Sequence, residues 1–231
     1  MGQHRLVKRL LTGIFNERTP MPRYNRTWDV DTVLTYIKAQ GENVDLSDKA
    51  LTHKLAMLLA LTTASRASEV QSLNIDFMID TGNRIEFSIP TLTKMRQVGS
   101  KPLVVTLYQY EEDSKLDVTE CVRTYLTRTK SWRTDPSQKN LLLGITLPHK
   151  PVCTSTVSGW LKQVMGAAGI DVQHFKGHST RSASTSKAKV GGLSVKDILH
   201  TANWKKASTF QKFYNRSDER NVFSAAVLKQ S

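Results

Sequence analysis

Three stretches of this 231-residue chain combine side chains suited to an anionic oxygen. The first is Thr62-Thr63-Ala64-Ser65-Arg66-Ala67-Ser68-Glu69-Val70. Glu69 lies three residues after Arg66 and can pair with its guanidinium or orient it. The second is Gly177-His178-Ser179-Thr180-Arg181. Three residues apart, His178 and Arg181 share one face of a helix, and at a helix start the dipole adds to their positive charge. The third runs from Asn203 to Arg216 and holds Trp204, Phe210, Phe213 and Tyr214. A tyrosine hydroxyl, with a pKa of about 10, attacks near neutral pH only with a base or a strong positive field beside it. Lys94 stands apart, in a turn region. Each piece alone has a plain structural explanation: an Arg–Glu pair at a helix junction, a chance H-x-x-R, aromatic residues packed in a core, a solvated lysine. The histidines, His4, His53, His149, His174, His178 and His200, form no metal motif, and no Gly-rich loop suited to a phosphate is present.

The elements that must position these residues follow from periodicity. Leu6, Leu10, Leu11, Ile14 and Phe15 have helical spacing, and Thr19-Pro20-Met21-Pro22 ends that pattern. Val30, Val33, Leu34 and Ile37 place a short helix over 29–40. Ser47 can cap a helix over 48–64, apolar along most of its length and therefore the expected buried centre. Three alternating runs follow: Ile75, Phe77, Ile79; Ile85, Phe87, Ile89; Leu103, Val105, Leu107. Turn signals at Thr81-Gly82-Asn83 and Gly99-Ser100 separate them, which predicts a three-stranded antiparallel meander. Helices are expected again at about 117–129, 155–168, 179–190, 195–201 and 206–213, with Ser194 and Asp197 as a short-acid capping box. The expected fold is mostly α with one small three-stranded antiparallel sheet.

Composition narrows the class. Apolar residues make up 39% of the chain, enough for a core. The longest apolar run, Leu55 to Leu61, is far short of the roughly 20 residues of a membrane span. The first residues lack the long apolar stretch of a secretory signal. Two cysteines, Cys121 and Cys153, point to a reducing compartment rather than a disulfide scaffold. The formal charge is +13, unevenly spread: +5 over 1–28, +1 over 29–170 and +7 over 171–231. A near-neutral middle with basic ends suits a polyanion, nucleic acid first and anionic lipid second.

Taken together, the ordered set of an Arg, a hairpin Lys, H-x-x-R, a Trp and then a Tyr, in a basic and mostly helical chain, resembles the catalytic domain of the tyrosine recombinases, or phage-integrase family. The resemblance covers roughly residues 29–225. Within the family, NWKKASTFQKFYNR and LVKRLLTGIFNERTPMPRYNRTWDVDTVL look most like recombinases of eukaryotic DIRS-like and Crypton-like mobile elements. Ala202-Asn203-Trp204 stands where the commonest bacterial pattern has Leu-Gly-His, and Tyr214 lies ten residues after Trp204, one more than is usual in bacterial members.

The resemblance implies roles. Arg66 and Arg181 would grip the non-bridging oxygens of the scissile phosphate. Glu69 would position its neighbours. Lys94 would protonate the leaving 5′ oxygen, with Arg96 and Lys101 on the same turn as alternatives. His178 would handle the proton of the nucleophile, and the Trp204 indole could donate to the phosphate. Tyr214 would attack, giving a covalent 3′-phosphotyrosine. That intermediate conserves bond energy, so no nucleotide cofactor is expected, and no carboxylate cluster or Cys/His spacing suggests a metal. Residues 1–28 would be the basic tail of a preceding DNA-gripping domain, and 29–231 the catalytic domain.

The physics of a phosphodiester agrees. Attack builds charge on its equatorial oxygens, and each preorganised donor there contributes on the order of 2–4 kcal/mol. The planar fork of arginine matches two of those oxygens. The expected activity is DNA strand cleavage and rejoining in site-specific recombination or integration. The expected partner is double-stranded DNA, without membrane. The resemblance implies a homo-tetramer on two duplexes, with the apolar residues Val222, Phe223, Val227 and Leu228 docking on a neighbour. The expected location is the nucleus in a eukaryote, or the cytosol and nucleoid otherwise, and not the secreted fraction. Two rivals remain open: a non-catalytic DNA-binding protein derived from such an element, and a type IB topoisomerase-like enzyme.

Overall fold

The computed structural model describes residues 4–18, 26–89 and 102–204. The helix expected at 206–213, with Phe210, Phe213 and Tyr214, lies outside them, as do Lys94, Arg96 and Lys101. The elements in chain order are helices α1 (Arg5–Glu17), α2 (Val30–Ala39), α3 (Asp48–Thr62) and α4 (Ala67–Gln71), strands β1 (Met78–Asp80), β2 (Arg84–Ile89) and β3 (Leu103–Tyr108), and helices α5 (Val118–Arg128), α6 (Thr154–Ala167), α7 (Ser179–Val190) and α8 (Val195–Thr201).

Helix α3 is the axle. Ser47 caps it by accepting from the Ala50 N–H at 3.2 Å. Leu51 and the whole run from Leu55 to Leu61 are buried, because α4, α5, α6 and α7 pack around the helix. The other helix starts follow the same chemistry. Asp29 accepts from the Asp31 N–H at 3.0 Å, Asp117 from the Thr119 N–H at 2.7 Å, and Ser194 from the Asp197 N–H at 3.1 Å.

The sheet has the order β1-β2-β3, both pairs antiparallel, with Met78 opposite Phe87 and Ile85 opposite Leu107. Period-two alternation puts Ile85, Phe87, Ile89, Val105 and Leu107 into the core and leaves Ile79, Val104 and Tyr108 exposed. Arg123 of α5 bolts the β1–β2 turn to the helical body: its Nε and Nη2 lie 2.9 Å from the two Asp80 oxygens, and Nη2 donates to the Gly82 carbonyl at 2.6 Å. The guanidinium holds the Asp80 carboxyl below its ordinary range.

Two expectations are corrected. The run Ile75, Phe77, Ile79 is not one strand. Asn74 accepts from the Asp76 N–H at 2.8 Å, which folds Ile75–Phe77 into a 3-10 turn and leaves only Met78–Asp80 for pairing. Helix α3 stops at Thr62 rather than at residue 64. Ala64 takes a left-handed conformation, φ 49°, and the chain restarts as the separate short α4. Helix α1 forms as expected, yet all of its residues are exposed. Among the described residues no helix is long and apolar enough to cross a membrane.

Candidate active site

The break after Thr62 aims Arg66. The Arg66 backbone N–H donates to Glu69 Oε2 at 2.7 Å, so the carboxylate caps the first turn of α4. Its other oxygen, Oε1, accepts from Arg66 Nη1 at 2.7 Å. Glu69 also accepts from a residue 112 positions away: Arg181 Nη1 donates to Oε2 at 3.2 Å. One buried carboxylate therefore holds both arginines. The Arg66 side chain is 39% exposed, whereas Arg181 and Glu69 are 4% and 6% exposed. Two cations on one anion leave a net positive site, and the shared anion offsets the repulsion that would otherwise push the guanidinium groups apart.

Arg181 is fixed on two further sides. Its Nη2 donates to the Ala202 carbonyl at the end of α8, and its Cζ stands 4.7 Å from the centre of the Trp204 ring. Trp204, Ala202 and Ile198 form a small second core with Ala64, which ties the end of α8 to the corner between α3 and α4. The turn after α8 passes through Asn203 at φ 50°. Arg66, Glu69, Arg181 and Trp204, scattered in sequence, thus meet at one place.

His178 is the exposed N-cap residue of α7, three positions before Arg181. The chain around it is tightly held. Thr180 donates to the Gly177 carbonyl at 2.7 Å, and the Ser179 N–H donates to the Lys176 carbonyl at 2.8 Å. Gly177 presses against α6: a Cβ there would lie 2.7 Å from the Ser158 carbonyl oxygen. The Trp28 indole N–H donates to Ser179 Oγ at 2.9 Å. Trp28 and Ser179 were not singled out from the sequence. A hydrogen bond spanning 151 positions leaves no local pattern, and only the place of Trp28 just before a helix start hints at a fixed role.

Beside Glu69 lies a cavity of about 310 Å³, walled by Thr63 and Ser65, by Leu103, Val104 and Thr106 of β3, and by His200 at the end of α8. Leu103, the first residue of β3, therefore shares a cavity with Glu69. Lys94 belongs to the segment that precedes Leu103, and Tyr214 to the one that follows Trp204, both outside the described residues. Among the described residues no three His, Cys, Asp or Glu side chains stand together as a metal-ligand set.

The sequence pattern of the phage integrase family matches residues 29–220. The chain belongs to the phage integrase family. A search of curated proteins found no match. Among solved structures, this family member is similar in fold to the XerH site-specific recombinase bound to palindromic difH substrate, with a TM-score of 0.64 and 13% identity over 91% of this chain and 54% of that one. The Tn1549 transposon integrase in complex with transposon right end DNA gives a TM-score of 0.57 and 13% identity, covering 88% and 66%. A lambda integrase dimer bound to a COC' core site gives 0.52 and 16%, covering 93% and 59%. The chain thus spans about half the length of XerH.

Proposed function

We propose that this chain is the catalytic part of a tyrosine recombinase, which cleaves and rejoins DNA in site-specific recombination or integration. The observation that carries the reading is the pair of arginines from distant helices held on one buried carboxylate, in a phage-integrase family chain. Two forked cations with their spacing set in advance suit the non-bridging oxygens of a scissile phosphate.

In the reaction, Tyr214 Oη attacks phosphorus. A Tyr–O–P bond forms and the bond to the 5′ oxygen breaks. His178 receives the tyrosine proton, and Lys94, or its neighbours Arg96 and Lys101, donates a proton to the leaving oxygen. Arg66 and Arg181 balance the charge that builds on the equatorial oxygens, and the Trp204 indole closes the site behind Arg181. Glu69 touches no reacting atom; it positions both arginines. The nearness of Leu103 to Glu69 supports a role for the hairpin that leads into β3. The burial of Arg181 requires that its cover be withdrawn as DNA enters.

Residues 1–28 serve as the tail of a DNA-gripping domain and 29–231 as the catalytic domain. The basic charge of 1–28 and 171–231 supports duplex DNA as the partner, and assembly is as a tetramer on two duplexes. The wording of 203–216 supports kinship with DIRS-like and Crypton-like elements, and with it a nuclear site of action.

The test is covalent trapping. Nicked suicide duplexes drawn from a random-sequence pool are incubated with the full chain, and protein–DNA adducts are recovered and sequenced. Wild-type protein is expected to form an adduct through Tyr214 and to enrich a site, and Tyr214→Phe to bind DNA without forming one. DNA binding with no wild-type adduct would leave a DNA-binding protein instead. Adducts with no site enrichment, together with relaxation of supercoiled DNA, would favour a topoisomerase.

A further inference from the structure

The first turn of α7 bears both His178 and Arg181, and Ser179 lies between them. Ser179 is buried, and its hydroxyl is used twice: it donates to the Lys176 carbonyl at 2.7 Å and accepts from the Trp28 indole at 2.9 Å. Trp28 is itself 5% exposed. A buried indole N–H costs stability unless it is paired. A phenylalanine would supply most of the same packing without that requirement, so what the tryptophan adds is a directed bond to one atom. We infer that Trp28 is a positioning residue for strand cleavage, whose indole N–H, through Ser179, sets where His178 and Arg181 stand. The inference rests on the recombinase reading above.

The surrounding contacts support this. Trp28 sits one residue before Asp29, the cap of α2, so its backbone is anchored by that helix. Asp31, in the first turn of α2, also pairs with Lys187, two turns further along α7. The start of α2 thus lies along α7 as a splint with two fastenings. The Asp31–Lys187 pair is exposed on both sides and contributes little. The Trp28–Ser179 bond is the buried fastening, and it falls at the catalytic end. Two residues before Ser179, Gly177 abuts Ser158 of α6. The turn is gripped between α2 and α6, while Glu69 and Ala202 hold the far end of the Arg181 side chain. Releasing one jaw lets the turn shift, and a shift of about 1 Å at a reacting group can cost up to about 100-fold in rate.

The experiment uses the full chain and a suicide duplex recovered by the trapping selection. Single-turnover adduct formation at saturating DNA, the Kd for that duplex and the melting temperature are measured for wild type, Trp28→Phe, Ser179→Ala, the double variant and Val33→Ala. Val33 is a fully buried residue of α2, four residues past the Asp29 cap and with no part in this bond, and it controls for lost stability. Trp28→Phe and Ser179→Ala are each expected to slow cleavage about 10-fold with Kd within about twofold, and the double variant to be no slower than the slower single. Val33→Ala is expected to melt lower yet cleave at about the wild-type rate. A wild-type rate for Trp28→Phe, losses that multiply in the double variant, or an equal slowing in Val33→Ala would each overturn the inference. If Trp28→Phe fails to fold, Ser179→Ala decides alone by the same criteria. A wild-type chain that binds DNA but never forms an adduct would remove the recombinase reading itself, and this inference with it.

Discussion

Replacing Glu69 by Gln keeps the volume of the side chain and removes its charge. An amide has one acceptor oxygen where the carboxylate has two. Oε2 serves two donors, the half-buried Arg66 backbone N–H at 2.7 Å and the buried Arg181 Nη1 at 3.2 Å, while Oε1 serves only Arg66 Nη1 at 2.7 Å. The amide oxygen should therefore take the Oε2 place and turn its NH2 toward the Arg66 guanidinium, which can swing away because that side chain is 39% exposed. Losing this half-exposed pair costs about 0–1 kcal/mol. Losing the charge beside Arg181 costs more, since removing one partner of a buried pair is worth about 3–5 kcal/mol. Arg181 keeps the Ala202 carbonyl, the Trp204 ring and a neutral oxygen at position 69, which tempers the loss. A total near 3 kcal/mol corresponds to a fall in melting temperature of about 6–12 °C for a chain of this size. Cleavage should fall further than stability, by about 100-fold or more, because Arg66 loses the group that aims it. Glu69→Asp keeps the charge but is one methylene short of spanning both arginines, so it should cost less in melting temperature and nearly as much in rate. Calorimetry and single-turnover trapping read the two effects separately. A Glu69→Gln protein that melts within about 2 °C of wild type would refute the buried bridge, and one that cleaves at the wild-type rate would refute the claim that the bridge aims the arginines.

Three other outcomes follow from local geometry. Gly177→Ala puts a methyl group 2.7 Å from the Ser158 carbonyl oxygen and should destabilise by about 2 kcal/mol, with slower trapping as the α7 turn shifts; an unchanged melting temperature would deny the close approach. The Ser155 and Thr156 hydroxyls lower the exposed Cys153 thiol to about 6, whereas burial pushes Cys121 up to about 12. Iodoacetamide at pH 7 should therefore modify Cys153 quickly and Cys121 only after unfolding, and mass spectrometry of the two peptides would expose equal labelling. Burial against Trp160, with Lys49 nearby, lowers His53 to about 4. The unfolded chain takes up that proton from about pH 6.5 while the folded chain does not until about pH 4, so up to about 3 kcal/mol of stability should be lost as the pH falls through that window. His53→Gln should flatten the fall in denaturant titrations between those limits, and an unchanged slope would refute the assignment.

Sequence periodicity located most of the framework because the elements are ordinary ones. The alternation in β2 and β3, the caps at Ser47 and Ser194 and the start of α7 at Ser179 all stand where local pattern puts them. The misses share a cause, which is side chains or backbone that override pattern. Asn74 turns an apparent strand into a 3-10 turn, and Ala64 breaks an apolar run that reads as unbroken helix. At the site, residue types and order were legible, since Arg66, Glu69, His178, Arg181 and Trp204 can be picked out one by one. The partnerships were not. Spacing within a motif pairs Glu69 with Arg66, three residues away, and nothing in that spacing assigns the same carboxylate to Arg181.

That second partnership sets how the charge of the site is shared. Spacing alone gives the Glu69 charge to Arg66 and assigns no anion to Arg181. The structure instead places one buried anion between the guanidinium groups, leaving a single excess positive charge over the pair. A phosphodiester carries one negative charge before attack and gains a second as the transition state forms. A site with one excess charge matches the ground state, and each further donor brought to the equatorial oxygens then favours the transition state over it. In the proposed reaction the exposed His178 and the hairpin residues are the sources of that further charge. In the proposed reaction Glu69 therefore both aims two side chains and holds the resting charge to one, so that the remaining donors act at the step where the second negative charge appears.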